Sequence, residues 1–274
     1  MVRWHYVKGC GHVRFAKILT MIGSVFLAMV GLIYFFQEQI IFHPTAVDEA
    51  QTARLEAADG VEEMIVQTPD GTLLHGWFVG NSKQDMILYY GGNAENVSDK
   101  AAEVNERWPE RNVVLMNYRG YGASEGTPGE EELFSDALYV YDEVAENAEQ
   151  ITVMGRSLGT AVAAYVADNR DVDRAIFVTP FDRLASVGAA QFPFLPVDLL
   201  LRHPFDTKEH LQDVSAPMLM IVAGDDEVVP FERSRALYES QDTAEWIVIG
   251  EHGHNTIHTD PTYWDRIERF LETK

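Results

Sequence analysis

Ser157 lies at the centre of residues 155–159, Gly-Arg-Ser-Leu-Gly, a spacing typical of a serine that acts as a nucleophile. A serine hydroxyl is weakly nucleophilic at neutral pH, so it needs a base, a carboxylate that orients the base, and donors for the oxyanion. An apolar run at 151–154 precedes the motif, and an Ala- and Val-rich run at 160–167 follows it. This strand, sharp turn and helix predict Ser157 as a nucleophile, with glycines on both sides because a tight turn leaves no room for a Cβ atom.

The carboxylate candidates are Asp225 and Asp226, which directly follow a predicted strand at 218–223. Side chains at the carboxyl end of a parallel strand point toward the crevice where ligands bind. We assign the orienting acid to Asp226 and keep Asp225 as the alternative. The aspartate that is not used would serve as a turn or N-cap residue before the helix predicted at 232–240.

The base candidates are His252, His254 and His258, which follow the last predicted strand at 246–249. A base in the chain order Ser, Asp, His is expected there. His254, in the run Gly-His-Asn, is the first choice and His252 the second. Three imidazoles can also bind zinc, but this spacing lacks a supporting acid in the same segment and favours the base.

The oxyanion donors are predicted in two places. One is the N–H of Leu158, the residue after the serine, and the other is the N–H of Asn93. Asn93 follows Gly91 and Gly92 after a strand predicted at 86–90, and glycines allow the backbone to approach a substrate closely. The alternative is that the two glycines only turn the chain.

Short apolar strands alternate with helical stretches along most of the chain, which predicts an α/β fold with a mostly parallel, doubly wound sheet. A hairpin is predicted at 61–67 and 73–79, because Thr-Pro-Asp-Gly at 68–71 is a turn sequence. The further predicted strands are 86–90, 113–117, 151–154, 175–178, 218–223 and 246–249, and the predicted helices are 95–108, 130–147, 158–168, 232–240 and 263–271.

One segment, at about 182–216, interrupts the alternation. Its residues 191–201 are apolar and broken by prolines. The segment is either a short cap that gives apolar walls to a substrate pocket or an irregular crossover that packs on the core.

The N-terminal region contains a run of 19 residues, 18–36, without a charged side chain. As a helix it would be roughly 28 Å long, close to the thickness of a bilayer core. Positive charges precede it and none follows until Arg54, so we expect the N-terminus in the cytoplasm and the catalytic domain outside. A cleaved signal peptide usually has a shorter apolar run, and a buried core helix usually has a polar face.

The predicted organisation has four parts: a basic cytoplasmic N-terminus at 1–17, a transmembrane signal anchor at 18–36, a connector at 37–57 and a catalytic domain at 58–274. The formal net charge is −22, and the first 17 residues contain four positive and no negative side chains. The remaining surface is therefore strongly acidic and excludes nucleic acid as a partner. The single cysteine, Cys10, allows neither an internal disulfide nor a cysteine metal site.

Five motifs occur in order along the chain, at 91–96, 117–126, 155–159, 226–230 and 253–255. Together they resemble the α/β-hydrolase-domain proteins with one N-terminal membrane segment, a group related to serine aminopeptidase-like hydrolases and palmitoyl-protein thioesterases. The resemblance covers residues 42–271.

By that resemblance Ser157, Asp226 and His254 correspond to the catalytic triad, Asn93 and Leu158 to the oxyanion donors, and Arg119 to a structural residue. The family more often has His-Gly-Asn where this chain has Gly-Gly-Asn at 91–93, a change that concerns the rigidity of the loop more than proton transfer.

The resemblance and the residues together predict hydrolysis of a carboxylic ester or thioester through an acyl-enzyme, with no cofactor. A serine peptidase or amidase on the same fold is the alternative within enzymes, and a non-catalytic ligand-binding protein is the alternative outside them. The expected partners are a small-molecule or acylated substrate and the lipid bilayer around 18–36. The sequence does not specify an oligomeric state.

Overall fold

The computed structural model describes residues 10–82 and 84–273 and divides the chain into two units after Ile41. The first unit is helix α1, Cys10–Ile41, which extends beyond both ends of the predicted 18–36 span. Within it, Lys17–Ile41 is long and apolar enough to cross a membrane, and an 18-residue window of it has a mean hydropathy of 2.3. Residues 1–9 of the predicted basic segment lie outside the described residues.

The second unit, Phe42 onward, is an α/β domain. Its strands are β1 Val61–Gln67, β2 Leu73–Val79, β3 Asp85–Tyr90, β4 Asn112–Met116, β5 Gln150–Arg156, β6 Arg174–Val178, β7 Met218–Ala223 and β8 Ala244–Ile249. Its helices are α2 Glu49–Glu56, α3 Val97–Arg107, α4 Glu130–Ala145, α5 Leu158–Asn169, α6 Leu184–Gln191, α7 Val197–Leu200, α8 Thr207–His210, α9 Phe231–Tyr238 and α10 Pro261–Glu272.

The eight strands form one sheet in the order β1-β2-β4-β3-β5-β6-β7-β8. Pairs β1–β2 and β2–β4 are antiparallel, and all other neighbours are parallel. The predicted mostly parallel, doubly wound sheet and its N-terminal hairpin are therefore confirmed. The parallel strands end at one edge of the sheet, so the loops after β3, β5, β7 and β8 can converge there.

The central strands are apolar runs because helices cover both faces of the sheet. Strand β7 is buried along its whole length. Helix α5 is also buried over most of its surface, and its alanines keep it slim enough to lie directly behind the serine motif. Helix α10 buries one side through Tyr263, Ile267 and Phe270, which recur at the three- and four-residue spacing of a helix face.

Helix α2 lies in the segment 37–57 that the sequence predicted as a connector. Asp48 starts the helix, since its carboxylate accepts from the N–H groups of Ala50 and Gln51, each at 3.0 Å. Leu55 is buried on the domain. The Asp48 cap and the buried Leu55 therefore stabilise this short helix, whose eight residues are too few to show a helical periodicity in the sequence.

Arg119 joins three parts of the fold. Its guanidinium donates to both oxygens of Asp136 on α4, at 2.7 and 2.5 Å, and to Asp70 in the hairpin turn at 3.1 Å. The bidentate geometry gives a strong and directional pair. These contacts fit the structural role that the resemblance implies for Arg119.

Candidate active site

Ser157 stands between β5 and α5 with φ 51° and ψ −118°, a conformation that residues with side chains rarely adopt. Its N–H donates to the carbonyl of Val178 on β6 at 2.9 Å, and its carbonyl accepts from the N–H of Thr160 at 2.9 Å. Leu158 is the first residue of α5, so its N–H has no acceptor within the helix. Backbone strain that neighbouring contacts maintain in this way is concentrated at functional sites.

The serine turn, residues 155–159, has glycine where backbone segments meet. A Cβ atom on Gly155 would lie 2.2 Å from the carbonyl oxygen of Gly159. A Cβ atom on Gly159 would lie 2.0 Å from the carbonyl oxygen of Tyr90 at the end of β3. Both positions exclude any larger residue, as the tight turn required.

We expect Gly159→Ala to lower the free energy of unfolding by about 3 kcal/mol, because the new methyl group meets backbone that cannot move away. Gly250→Ala is the control, because a Cβ atom there has no neighbour within 4 Å and the residue is exposed. It should change stability by less than about 0.5 kcal/mol. Urea denaturation followed by tryptophan fluorescence measures both, and equal stabilities of the two variants would contradict the packing argument.

Asp226 and His254 are in direct contact at the carboxyl edge of the sheet, after β7 and β8. His254 Nδ1 lies 2.8 Å from Asp226 Oδ2 and 3.0 Å from Oδ1, and the two side chains are only 5% and 2% exposed. The N–H groups of Val228 and Val229 donate to Asp226 Oδ1 at 2.9 and 2.7 Å. A carboxylate facing Nδ1 favours the tautomer with its proton there, which leaves Nε2 as the acceptor.

The alternative acid and base residues make other contacts. Asp225 is exposed, and its N–H donates to the carbonyl of His252 at 3.0 Å. His252 Nε2 lies 3.2 Å from Asp260, and the carbonyl of His258 accepts from Trp264 Nε1 at 2.8 Å. Within residues 10–82 and 84–273, no three His, Cys, Asp or Glu side chains are grouped as a metal site requires.

The glycine loop, residues 91–95, follows β3. The N–H of Gly92 donates to Glu95 Oε2 at 2.8 Å, so it is already used inside the loop. The Asn93 side chain accepts through Oδ1 from the N–H of His43 at 3.0 Å and from the Tyr121 hydroxyl at 2.8 Å, and its Nδ2 lies 3.0 Å from His43 Nδ1. Asn93, chosen from the sequence for its backbone N–H, thus also fastens the loop through its side chain.

The sequence analysis assigned no role to three residues that contact these loops: His43, Glu95 and Arg156. His43 lies 50 positions before Asn93, and Arg156 lies 61 positions after Glu95. No periodicity or motif spacing links positions so far apart. The only signal in the sequence is that Glu95 and Arg156 both lie inside the motifs that carry the chemistry.

The segment predicted as a cap or a crossover has an exposed part and a buried part. Phe192, Phe194 and Leu199 are 47%, 62% and 84% exposed. Gln191 Nε2 donates to the carbonyl of Val228 at 3.0 Å, which places the start of this exposed part beside the Asp226 loop. The later part instead packs on the domain through Phe205 and Leu211, which are buried.

Glu130, at the start of α4, accepts from the N–H of Phe205 at 2.9 Å. Burial raises the pKa of its carboxyl group to about 7 and outweighs the opposite effect of the hydrogen bond from Phe205, and Asp206 and Glu131 add smaller upward contributions. The ordinary value is 4.5, so the folded chain binds more protons than the unfolded chain between these two pH values. The stability that Glu130 contributes is therefore present below pH 4.5 and decreases as pH rises to about 7.

We expect Glu130→Gln to raise Tm by about 3 °C at pH 8, because the amide still accepts from Phe205 but carries no charge. Near pH 5 the carboxyl group is mostly protonated, so the variant and the wild type should melt together. Thermal unfolding at the two pH values measures the difference. The exposed Glu62→Gln is the control for the loss of one negative charge. A similar gain in Tm at both pH values for Glu130→Gln would contradict the assignment.

A cavity of about 670 Å³ lies at the other edge of the sheet. The first residues of β5 and β6 and the end of α10 line it, together with Asp173, Pro217, Glu245 and Thr273. It is thus separated from Ser157 by the length of the strands and has no part in the chemistry discussed above.

Comparisons with known proteins identify the family of the chain. A family model described as serine hydrolase matches residues 137–273, which include Ser157, Asp226 and His254. The uncharacterized Mycobacterium tuberculosis protein Rv2307c is 30% identical over 273 residues, covering 93% of this chain and 95% of its own length. The uncharacterized membrane protein YNL320W of Saccharomyces cerevisiae is 29% identical over 263 residues, covering 89% and 92%.

A solved structure is similar over most of the chain. The Pyrococcus furiosus esterase Pf2001 superimposes with a TM-score of 0.65, covering 85% of this chain and 97% of its own, at 20% sequence identity. Similarity at this level of identity concerns the fold.

Proposed function

The chain belongs to the serine hydrolase family and has the α/β-hydrolase fold, and from this premise we propose that it cleaves a carboxylic ester or thioester through an acyl-enzyme on Ser157. The observation that carries the proposal is the buried contact between His254 Nδ1 and Asp226, at 2.8 Å. It supplies an oriented base at the sheet edge where the strained serine turn also ends.

In the proposed mechanism His254 Nε2 accepts the proton of the Ser157 hydroxyl while the oxygen attacks the substrate carbonyl. Asp226 holds the imidazole and stabilises the imidazolium that forms. The N–H groups of Asn93 and Leu158 bind the oxyanion. The imidazolium then protonates the leaving group, and water, activated by the same histidine, hydrolyses the acyl-enzyme.

Two observations favour an acyl ester or thioester over a peptide. The exposed apolar side chains Phe192, Phe194 and Leu199 offer walls for an acyl chain, next to the loop that carries Asp226. The structurally similar Pyrococcus furiosus protein is an esterase by name. A small-molecule or acylated substrate, with no cofactor, fits this arrangement.

A substrate series tests the proposal. Purified full-length chain should hydrolyse p-nitrophenyl esters and an acyl-thioester, with kcat/KM rising with acyl length, and should act far more slowly on the matching anilides. Ser157→Ala should be inactive on all of them. Faster cleavage of anilides than of esters would favour the peptidase alternative, and a folded wild-type chain that cleaves neither would favour a non-catalytic binding protein.

The N-terminal helix supports a further part of the proposal, namely that Lys17–Ile41 anchors the enzyme in a membrane with its N-terminus in the cytoplasm and the catalytic unit on the other side. The helix has the necessary length and composition, and the yeast relative is described as a membrane protein. Four basic residues precede it without an acid: Arg3, Lys8, Arg14 and Lys17. The chain should stay in the membrane pellet after a carbonate wash, and external protease should reach a C-terminal tag in intact cells from which any outer envelope has been removed.

A further inference from the structure

Arg156 and Glu95 form an ion pair in the interior of the catalytic edge. Arg156 Nη1 donates to Glu95 Oε2 at 2.9 Å, and the two side chains are only 12% and 10% exposed. Arg156 immediately precedes Ser157, and Glu95 closes the glycine loop that carries Asn93. The pair therefore connects the serine turn with the loop proposed to bind the oxyanion.

Glu95 fixes the shape of the glycine loop. Besides Arg156, its Oε2 accepts from the N–H of Gly92 at 2.8 Å, and its Oε1 accepts from the Tyr89 hydroxyl at 2.6 Å. A Cβ atom on residue 92 would lie 3.0 Å from Arg156 Nη1 and 3.3 Å from Glu95 Oε2. The second glycine of the loop is thus explained by the close approach of the ion pair.

Arg156 extends the same connection to the histidine loop, residues 250–256. Its Nη2 donates to the carbonyl of His254 at 3.1 Å and to Asn255 Oδ1 at 2.7 Å. One guanidinium thereby contacts the backbone of the proposed base and, through Glu95, the loop of the proposed oxyanion donor. The planar fork of arginine can make these contacts at once, whereas a lysine ammonium is a single point charge.

The charges of the pair are maintained although both groups are buried. Burial raises the pKa of Glu95, but the charges of Arg156 and Lys100 and the hydrogen bonds from Tyr89 and Gly92 outweigh it, so the pKa lies below its ordinary value. Burial likewise acts against the charge on Arg156, but Glu95, with smaller contributions from Tyr89 and Tyr263, outweighs it, so the pKa of Arg156 lies above its ordinary value. Each group of the pair thus favours the ionised form of the other.

We propose that Arg156 and Glu95 are positioning residues, which hold the serine turn, the glycine loop and the histidine loop in the arrangement that acylation of Ser157 requires. The inference rests on the function proposed above. A buried ion pair with a purely structural role can be replaced by apolar side chains of similar size without loss of stability. A positioning pair cannot be replaced in this way without loss of rate, because apolar side chains do not provide directional hydrogen bonds to three loops.

The double variant Glu95→Leu/Arg156→Met separates these roles. It leaves no unpaired buried charge, but the Tyr89 hydroxyl and the Gly92 N–H lose their acceptor, so its Tm should fall by about 10 °C while the chain stays folded at the assay temperature. Its kcat on a p-nitrophenyl ester should fall about 100-fold, since a displacement near 1 Å in a catalytic group costs about that much, while KM changes by less than about threefold. Arg156→Lys, which keeps the charge without the fork, should lose about 10-fold in kcat.

The matched control is the double variant Asp142→Leu/Arg170→Met. It removes a bidentate pair, with contacts of 2.6 and 2.7 Å, between helix α4 and the end of helix α5, at the surface and outside the catalytic machinery. It should keep wild-type kcat. A Glu95→Leu/Arg156→Met variant with wild-type kcat, or one whose kcat falls no further than that of this control, would overturn the proposal.

Amide hydrogen exchange measures, without any turnover, whether the pair holds the glycine loop and the histidine loop in place. In Glu95→Leu/Arg156→Met the peptides covering 91–96 and 250–256 should exchange at least about 10-fold faster than in the wild type, while the peptide of α10 stays unchanged. Unchanged exchange in both loops would overturn the positioning role. If the wild type hydrolyses no ester and takes up no fluorophosphonate, the proposed function fails on its own, and the exchange result still decides whether the pair holds the loops.

Discussion

Replacing Asp226 by asparagine should lower kcat for a p-nitrophenyl ester about 10⁴-fold. The carboxylate contacts His254 Nδ1 at 2.8 Å in a buried position and is itself held by two backbone N–H groups. An amide there can present its NH₂ group to the imidazole, which favours the tautomer with the proton on Nε2 and removes the base. Steady-state kinetics with purified variants measures the loss.

Asp225→Asn is the matched control for this variant, since the residue is the adjacent aspartate of the same loop but is exposed. It should keep kcat within about threefold of the wild type. Equal losses in the two variants, or a larger loss in Asp225→Asn, would contradict the assignment of Asp226 as the carboxylate that orients His254. Thermal unfolding of both variants ensures that the loss in Asp226→Asn is not a loss of folded protein.

Replacing His254 by alanine should have a still larger effect, about 10⁶-fold in kcat, because it removes the base proposed to take the proton of Ser157. KM should change little, since the imidazole acts in the transition state more than in substrate binding. The fluorophosphonate reaction should slow in parallel, because the probe is attacked by the same hydroxyl.

His252→Ala is the control for the base, because His252 lies two residues away and pairs with Asp260 at 3.2 Å. It should keep most of the activity. A folded His252→Ala variant that is as inactive as His254→Ala would contradict the assignment of His254 as the base.

Much of the candidate site could be predicted because its signals are local. Glycine is required at 155 and 159 because a Cβ atom there would lie 2.2 and 2.0 Å from a backbone carbonyl oxygen, and the same requirement gives the sequence its Gly-x-Ser-x-Gly form. The order of Ser157, Asp226 and His254 follows from the alternation of strands and helices, since each lies after a parallel strand. The strands of the sheet could be predicted for the same reason, because apolar runs and turn residues are local signals too.

Other parts could not be predicted because they depend on contacts between distant segments. Nothing near Glu95 indicates that its partner is Arg156, 61 positions later, or that Asn93 will bind His43 through its side chain. Helix α2 was missed because its eight residues have one buried side chain and so little periodicity. The sequence did not decide between a cap and a crossover at 182–216, because prolines and apolar residues suit an exposed surface and a packed crossover equally well.

The role of Ser157 as the nucleophile can be tested directly by labelling the full-length chain with a fluorophosphonate and locating the label by peptide mass spectrometry. We expect one labelled residue, Ser157, in the wild type and no label in Ser157→Ala, with the same Tm in both. Label at another residue, label that persists in Ser157→Ala, or none in the folded wild type would contradict it.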